Sequence, residues 1–237
     1  FKPMQLNSSH YEKIKNIKTK SFVFTSLFGW SLRKGADILL RSYLEEFTSD
    51  DDVSLMIVSR NWGSSSTENN DKIRTDIKNY IQRYAKNSNK PPHIIHIGQP
   101  LPEEDLPIIY NMSNAFILLS RGEGFSLTPM EAASCEIPCI CTKIGGHEDY
   151  MNEDNSYPID IEGYDSNSQE MKEISKISSY YENMPFAVLG QKAIDQTKER
   201  MRHVMNNYSE AKDKAKKMRN YLINNFTWDH TAEKVYN

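Results

Sequence analysis

Five short, almost wholly apolar runs punctuate the chain, each separated from the next by a stretch with helical period. They are SFVFTSL (Ser21–Leu27), VSLMIVS (Val53–Ser59), HIIHIG (His93–Gly98), AFILLS (Ala115–Ser120) and IPCICT (Ile137–Thr142). A strand with one wet face alternates apolar and polar residues, whereas runs like these suit strands covered on both faces. The intervening helices are read at Lys34–Phe47, near Asp71–Ala85, and from Pro102-Glu103-Glu104 onward. This alternation predicts an α/β fold: a doubly wound parallel sheet with helices on both faces. Its strands should include Phe22–Ser26, Leu55–Val58, Ile94–Ile97, Phe116–Leu119 and Pro138–Cys141. Such sheets bind ligands in the crevice at the carboxyl ends of their strands.

Composition narrows the function classes. A length of 237 residues fits one large domain, and 38% hydrophobic residues suffice for a core. The net charge of -3 offers no basic field for nucleic acid. Cys135, Cys139 and Cys141 are odd in number and crowded, a poor disulfide framework. They lack the further ligands of a metal site and read as small core residues. No apolar run approaches the ~20 residues of a membrane span, so a cytoplasmic location, with room for peripheral membrane association, is expected. Asn61–Asn70 and roughly Gly163–Asn183 read as polar, mobile loops. C-terminal helices are expected at Lys192–Asn206, at Ser209–Asn224 and from Trp228. Lys212, Lys214, Lys216, Lys217 and Arg219 form a basic face, read as solvated helix surface ahead of a membrane or partner patch.

The stretch SRGEGFSLTPMEAASCEIPCICTKIGGHED (Ser120–Asp149) carries the chemistry. A strand ends at Ser120, a Gly-rich turn follows, and a helix is expected to start at Thr128-Pro129. The amides of that first turn, with the helix dipole, make an anion site suited to a diphosphate. Gly122 and Gly124 let the backbone approach closely. Glu123 and Glu131 flank the site. Carboxylates do not bind phosphate directly, so they suit sugar hydroxyls instead. The GxG does not extend to a dinucleotide fingerprint after the first strand, which disfavours an oxidoreductase.

Glu-x(7)-Glu on a strand–turn–helix, followed by IPCICTKIGG, resembles the retaining glycosyltransferases of family 4, which share the two-domain GT-B fold. The resemblance implies that Glu123 contacts the transferred sugar, that Glu131 holds the ribose, and that the backbone of Gly124, Phe125, Ser126 and Leu127 faces the diphosphate. FVFTSLFGWSLRKGADILLRSYLEEF resembles the family's first strand and basic loop, in which Lys34 contacts the diphosphate. HIGQPLPEEDLPIIYNMSNAFILLSRGEG resembles the stretch whose loop, Gly98, Gln99, Pro100 and Leu101, receives the base. FTWDHTAEKVYN resembles the closing helix. Phe1-Lys2-Pro3 is similar to the F-x-P that follows the interdomain linker, so residues 1–237 are expected to be a single donor-binding domain, with the N-terminal acceptor domain absent. The loops around Ser64 and Gly163 are unmatched.

One departure concerns the leaving group. Gly29 stands where the family usually has a second basic residue, and Arg33 is the nearest replacement. The implied activity is transfer from a UDP- or GDP-sugar to a carbohydrate, lipid or protein acceptor with retention. Lys34, Arg33 and the helix start would stabilise the departing diphosphate, so no metal or other cofactor is required. The departure at Gly29 favours an alternative, a non-catalytic nucleotide-sugar-binding or scaffold domain. A GT-B phosphorylase or glycogen-synthase-like protein is the weaker third option. His147 reads equally as a sugar-facing or a surface-turn histidine, and Trp30 as a crevice wall or an apolar anchor.

Overall fold

Period-two alternation along the strands decides which side chains meet which helices. A computed structural model describes residues 1–60, 66–176 and 178–236. The six strands β1 (Phe22–Gly29), β2 (Val53–Arg60), β3 (His93–Ile97), β4 (Ala115–Leu118), β5 (Cys139–Thr142) and β6 (Tyr157–Ile159) form one sheet, ordered β3-β2-β1-β4-β5-β6. Every pairing in it is parallel. Phe22 and Phe24 of β1 and Leu55 and Ile57 of β2 join one buried cluster with α2 (Ala36–Glu46), α3 (Ser66–Tyr84), α5 (Leu127–Ser134), α7 (Gln191–Asn206) and α8 (Tyr208–Asn225). Val23 and Met56 point the other way and pack with Ile14 of α1 (Ser8–Ile14) and Ile108 and Ile109 of α4 (Leu106–Asn111). Both faces are thus covered, as the unbroken apolar runs require. The strand order reverses between β1 and β4, which puts the switch-point crevice at their carboxyl ends.

Several boundaries move. β6 and α1 were not read from the sequence. α3 begins at Ser66 rather than near Asp71. Within the expected loop Asn61–Asn70, positions 61–65, with the unmatched insertion at Ser64, lie outside the described residues, and the remainder belongs to α3. The described residues of the expected mobile loop at Gly163–Asn183 include strand and helix instead. β7 (Tyr164–Asp165) pairs antiparallel with β8 (Phe186–Ala187), and α6 (Gln169–Ser175) lies between them, capped by Ser168. Met171 and Ile174 of α6 and Phe186 of β8 close a small core with Leu32 and Tyr181. One of those partners comes from far upstream, so no local periodicity announces the element.

The C-terminal helices α7, α8 and α9 (Trp228–Tyr236) stand where expected. The basic face of α8 is partly consumed internally: Lys212 donates to Glu136 O, Arg219 to Ser134 O and Lys214 to Glu153 O. Two of these acceptors lie at or just beyond the carboxyl end of α5, where cations complement the helix dipole. All three cysteines are buried. Among the described residues, no helix is long and apolar enough to cross a membrane.

Candidate functional site

Two loops meet at the switch point. The first leaves β1, makes a 3-10 turn at Leu32–Lys34 and ends at Gly35 with φ 70°. A Cβ at Gly35 would lie 1.7 Å from Leu119 O, so only glycine lets this basic loop close onto the end of β4. The second loop leaves β4 and carries Glu123. Its backbone is braced from below by the GG turn: Gly146 N–H donates to Gly124 O at 2.9 Å. A Cβ at Gly145, where φ is 47°, would meet Glu123 O at 2.3 Å.

Lys34 Nζ donates to Glu123 Oε1 at 2.5 Å, and Ser120 Oγ donates to the same oxygen at 2.5 Å. Arg33 Nη1 donates to Gly122 O at 2.5 Å and stands 3.8 Å from Glu123 Oε2. The Glu123 side chain is 6% exposed, so its charge is met by two cations and a hydroxyl with little water to screen them. This places both basic residues of the loop at one carboxylate.

The helix beyond starts two residues earlier than the expected first helical residue, Pro129. α5 begins at Leu127, Ser126 is its N-cap with φ 65°, and Pro129 is the third helical residue rather than the first. Proline is tolerated there because the first-turn amides have no intrahelical acceptor anyway. The amides of Leu127 and Thr128 therefore remain to face an anion. Positive φ at a serine is strained. Tyr150 Oη holds the turn by donating to Phe125 O at 3.2 Å and Ser126 O at 3.0 Å. Phe125 is partly exposed and its ring contacts Tyr150 and Phe226.

A cleft of about 570 Å³ runs along these elements, lined by Arg33, Lys34, Ser126, Leu127 and Thr128 among others. Its further wall is Leu27, Val58, Ile97, Gln99, Pro100, Leu101 and Leu106, with Gly98 immediately after β3. The basic loop, the helix start and the loop after β3 are thus brought together. Glu131, on the second turn of α5, is not among the residues lining this cleft; there Tyr110 Oη donates to Glu131 Oε2 at 2.8 Å. Burial pushes its carboxyl above the ordinary glutamate range, and the Tyr110 bond offsets this only in part.

Arg121 escaped the sequence reading, and the structure places His147 and Trp30, each of which had two readings. Arg121, between the strand end and Glu123, is fully buried. Its guanidinium bonds Asp37 through both nitrogens (2.9 and 2.6 Å), donates to Leu32 O at 2.6 Å, and pairs with Glu170 of α6. Burial works against that charge, but the hydrogen bond and charge of Asp37 together with the charge of Glu170 hold the arginine above its ordinary value. His147 is buried rather than a surface-turn residue. Its Nδ1 meets Thr142 O at 2.9 Å, and burial lowers its pKa. Trp30 stacks on Phe28 and donates through Nε1 to Asp76 at 3.0 Å, beside a second cavity behind the basic loop. Only the polarity of the SRGEG turn hinted at Arg121; its partners are 84 and 49 positions away in the chain.

Comparison with known proteins matches these elements. In structure, the chain resembles the C-terminal domain of a glycosyl transferase group 1 family protein from Francisella tularensis. The TM-score is 0.68 at 13% identity, covering 96% of each chain. Sucrose-phosphate synthase from Thermosynechococcus elongatus also gives 0.68 at 17% identity, over 99% of this chain and 48% of that one. The Anabaena protein HepE, solved with UDP-glucose, gives 0.57 at 15% identity over 91% and 48%. In sequence, the chain is 26% identical over 226 residues to uncharacterized protein 356 of Sulfolobus islandicus rod-shaped virus 1, covering 95% of this chain and 54% of that protein. It is 41% identical over 44 residues to O-antigen chain mannosyltransferase B of Escherichia coli, 19% of this chain and 12% of that one. The chain spans about half the length of the viral relative, and the bacterial match is shorter still. The family model described as glycosyl transferases group 1 matches residues 8–185, most of the crevice included, and the chain belongs to that family.

Proposed function

We propose that this chain is the donor-binding domain of a retaining, family 4-type glycosyltransferase, acting on a UDP- or GDP-sugar. The observation that carries this reading is the convergence of Lys34 and Arg33 on Glu123, beside the open amides of Leu127 and Thr128. A departing nucleoside diphosphate develops negative charge on its oxygens, and fixed donors aimed at that charge lower the barrier. Lys34, Arg33 and the start of α5 supply them, so the chain's own groups do the work a metal would do. Glu123, already oriented by Lys34 and Ser120, accepts from the hydroxyls of the sugar. Glu131 accepts from the ribose, and the loop Gly98–Leu101 receives the base. HepE, solved with UDP-glucose, and the mannosyltransferase relative support a nucleotide-sugar donor.

In this reading a partner domain completes the cleft, brings the carbohydrate, lipid or protein acceptor, and excludes water when it closes. Calorimetry of residues 1–237 with UDP, GDP and their sugars tests the donor site. One nucleotide should bind with a micromolar-to-millimolar dissociation constant, roughly 4–8 kcal/mol, and the isolated chain should transfer nothing. A longer protein carrying the upstream domain should transfer sugar with retained anomeric configuration. Gly29 favours a second reading, a nucleotide-sugar-binding module without turnover. Binding without transfer by the longer protein would select it.

A further inference from the structure

The segment from Gly163 to Ala187 is not a peripheral decoration, because several of its described residues reach the basic loop or the Glu123 turn. Its small core of Met171, Ile174 and Phe186 is completed by Leu32, the residue before Arg33. The Arg33 guanidinium lies over the ring of Tyr181, 5.7 Å from the centroid. Glu170 pairs with buried Arg121, whose backbone N–H in turn donates to Arg33 O at 2.7 Å. Ala187 N–H donates to Arg121 O at 2.8 Å, and the Phe186 ring covers Gly122, where a Cβ would stand 3.0 Å from it. Without the insert, Arg33 would be a long side chain on a short solvent-facing turn, free to spread over many rotamers.

We propose that this insert is a positioning clamp: Tyr181 and Glu170 hold Arg33 at the diphosphate position and so replace, from another part of the chain, the basic residue missing at Gly29. The inference rests on the donor-site reading above. Tyr181 fixes the guanidinium plane by a cation–π contact, leaving its nitrogens directed at Gly122 O and the Glu123 side. Arg121 acts as the hinge pin. A buried arginine is tolerated only while paired, so Asp37 on one side and Glu170 on the other keep loop and insert together. The cation at the leaving group is thereby preorganised before a ligand arrives.

The test is a double-mutant cycle read by calorimetry with UDP and GDP. Tyr181→Leu should weaken the nucleotide that binds by about fivefold, the effect of a partly exposed cation–π contact, with little change in melting temperature. Tyr181→Phe keeps the ring and should restore affinity to within about twofold of wild type. Arg33→Ala should weaken binding at least as much, and adding Tyr181→Leu to it should cost nothing more. Glu170→Gln should weaken binding in the Arg33 background only. Wild-type affinity in Tyr181→Leu, or a further loss when it is added to Arg33→Ala, overturns the clamp. Lys34→Ala separates the two levels of the argument. If it abolishes binding while Tyr181→Leu has no effect, the clamp fails and the donor site stands. If wild type binds neither nucleotide, both fail.

Discussion

Glu123, Lys34 and Arg33 gather where the loops after β1 and β4 meet, and Leu27, Val58, Ile97, Leu101 and Leu106 line the cleft from the ends of β1, β2 and β3 and the stretch after β3. The first region is organised by charge. Glu123 meets Lys34, Arg33 and Ser120, while Arg121 behind it meets Asp37 and Glu170. The second region is organised by packing against Ile97 and the loop that follows β3, with Gln99 as its polar group. The charged end spends its ion pairs internally, so a diphosphate bound there would share partners that already have one. The apolar end makes no such demand. On the proposed function, orientation and leaving-group chemistry belong to the charged end and much of the salt-independent grip to the other.

Glu123→Ala breaks the comparison most severely. Transfer by the longer protein should fall by about 100- to 1000-fold, as for loss of one preorganised polar group. Nucleoside diphosphate affinity should hold or rise, since Lys34 loses a competing anion. Parallel steady-state kinetics and calorimetry check both halves, and a loss of affinity would mean that Glu123 belongs to the nucleotide rather than to the sugar.

Glu131→Gln comes next, with an expected loss of roughly 1.5–3 kcal/mol in nucleoside diphosphate binding, the range for hydrogen bonds to a charged group. It also carries a pH signature. Burial raises the Glu131 pKa, and on the proposed function the ionised form is the one that accepts from ribose. Affinity should therefore fall as pH drops through that raised value, earlier than an ordinary carboxylate would allow. The Gln variant should lack this dependence, and a pH-flat wild type would remove Glu131 from the ribose.

Leu101→Ala sharpens the other end, with a loss of about 1 kcal/mol that added salt leaves unchanged. Binding in the wild type should weaken with salt through Lys34 and Arg33, which are partly exposed. Equal salt slopes for Leu101→Ala and wild type, measured by titration at two ionic strengths, confirm that the two ends act separately. A changed slope would show that they are coupled.

The sheet and the position of its crevice were legible in the chain because their causes are local. Unbroken apolar runs demand two covered faces, and a strand running into SRGEGFSLTP demands a turn and a helix start. Lys34 and Glu123 could be placed because each lies within a few residues of a strand end. The start of α5 lies two residues before the expected Pro129, since Ser126 accepts a positive φ that its type does not advertise and Tyr150, 24 positions on, stabilises it. Tertiary structure alone decided the rest. Arg121 pairs with Asp37 across 84 positions and with Glu170 on an element whose core borrows Leu32, and Tyr110 bonds Glu131 across 21. Ion pairs and side-chain hydrogen bonds between distant residues leave no period in a sequence. Their energy depends on burial, which exists only once the layers have closed around them.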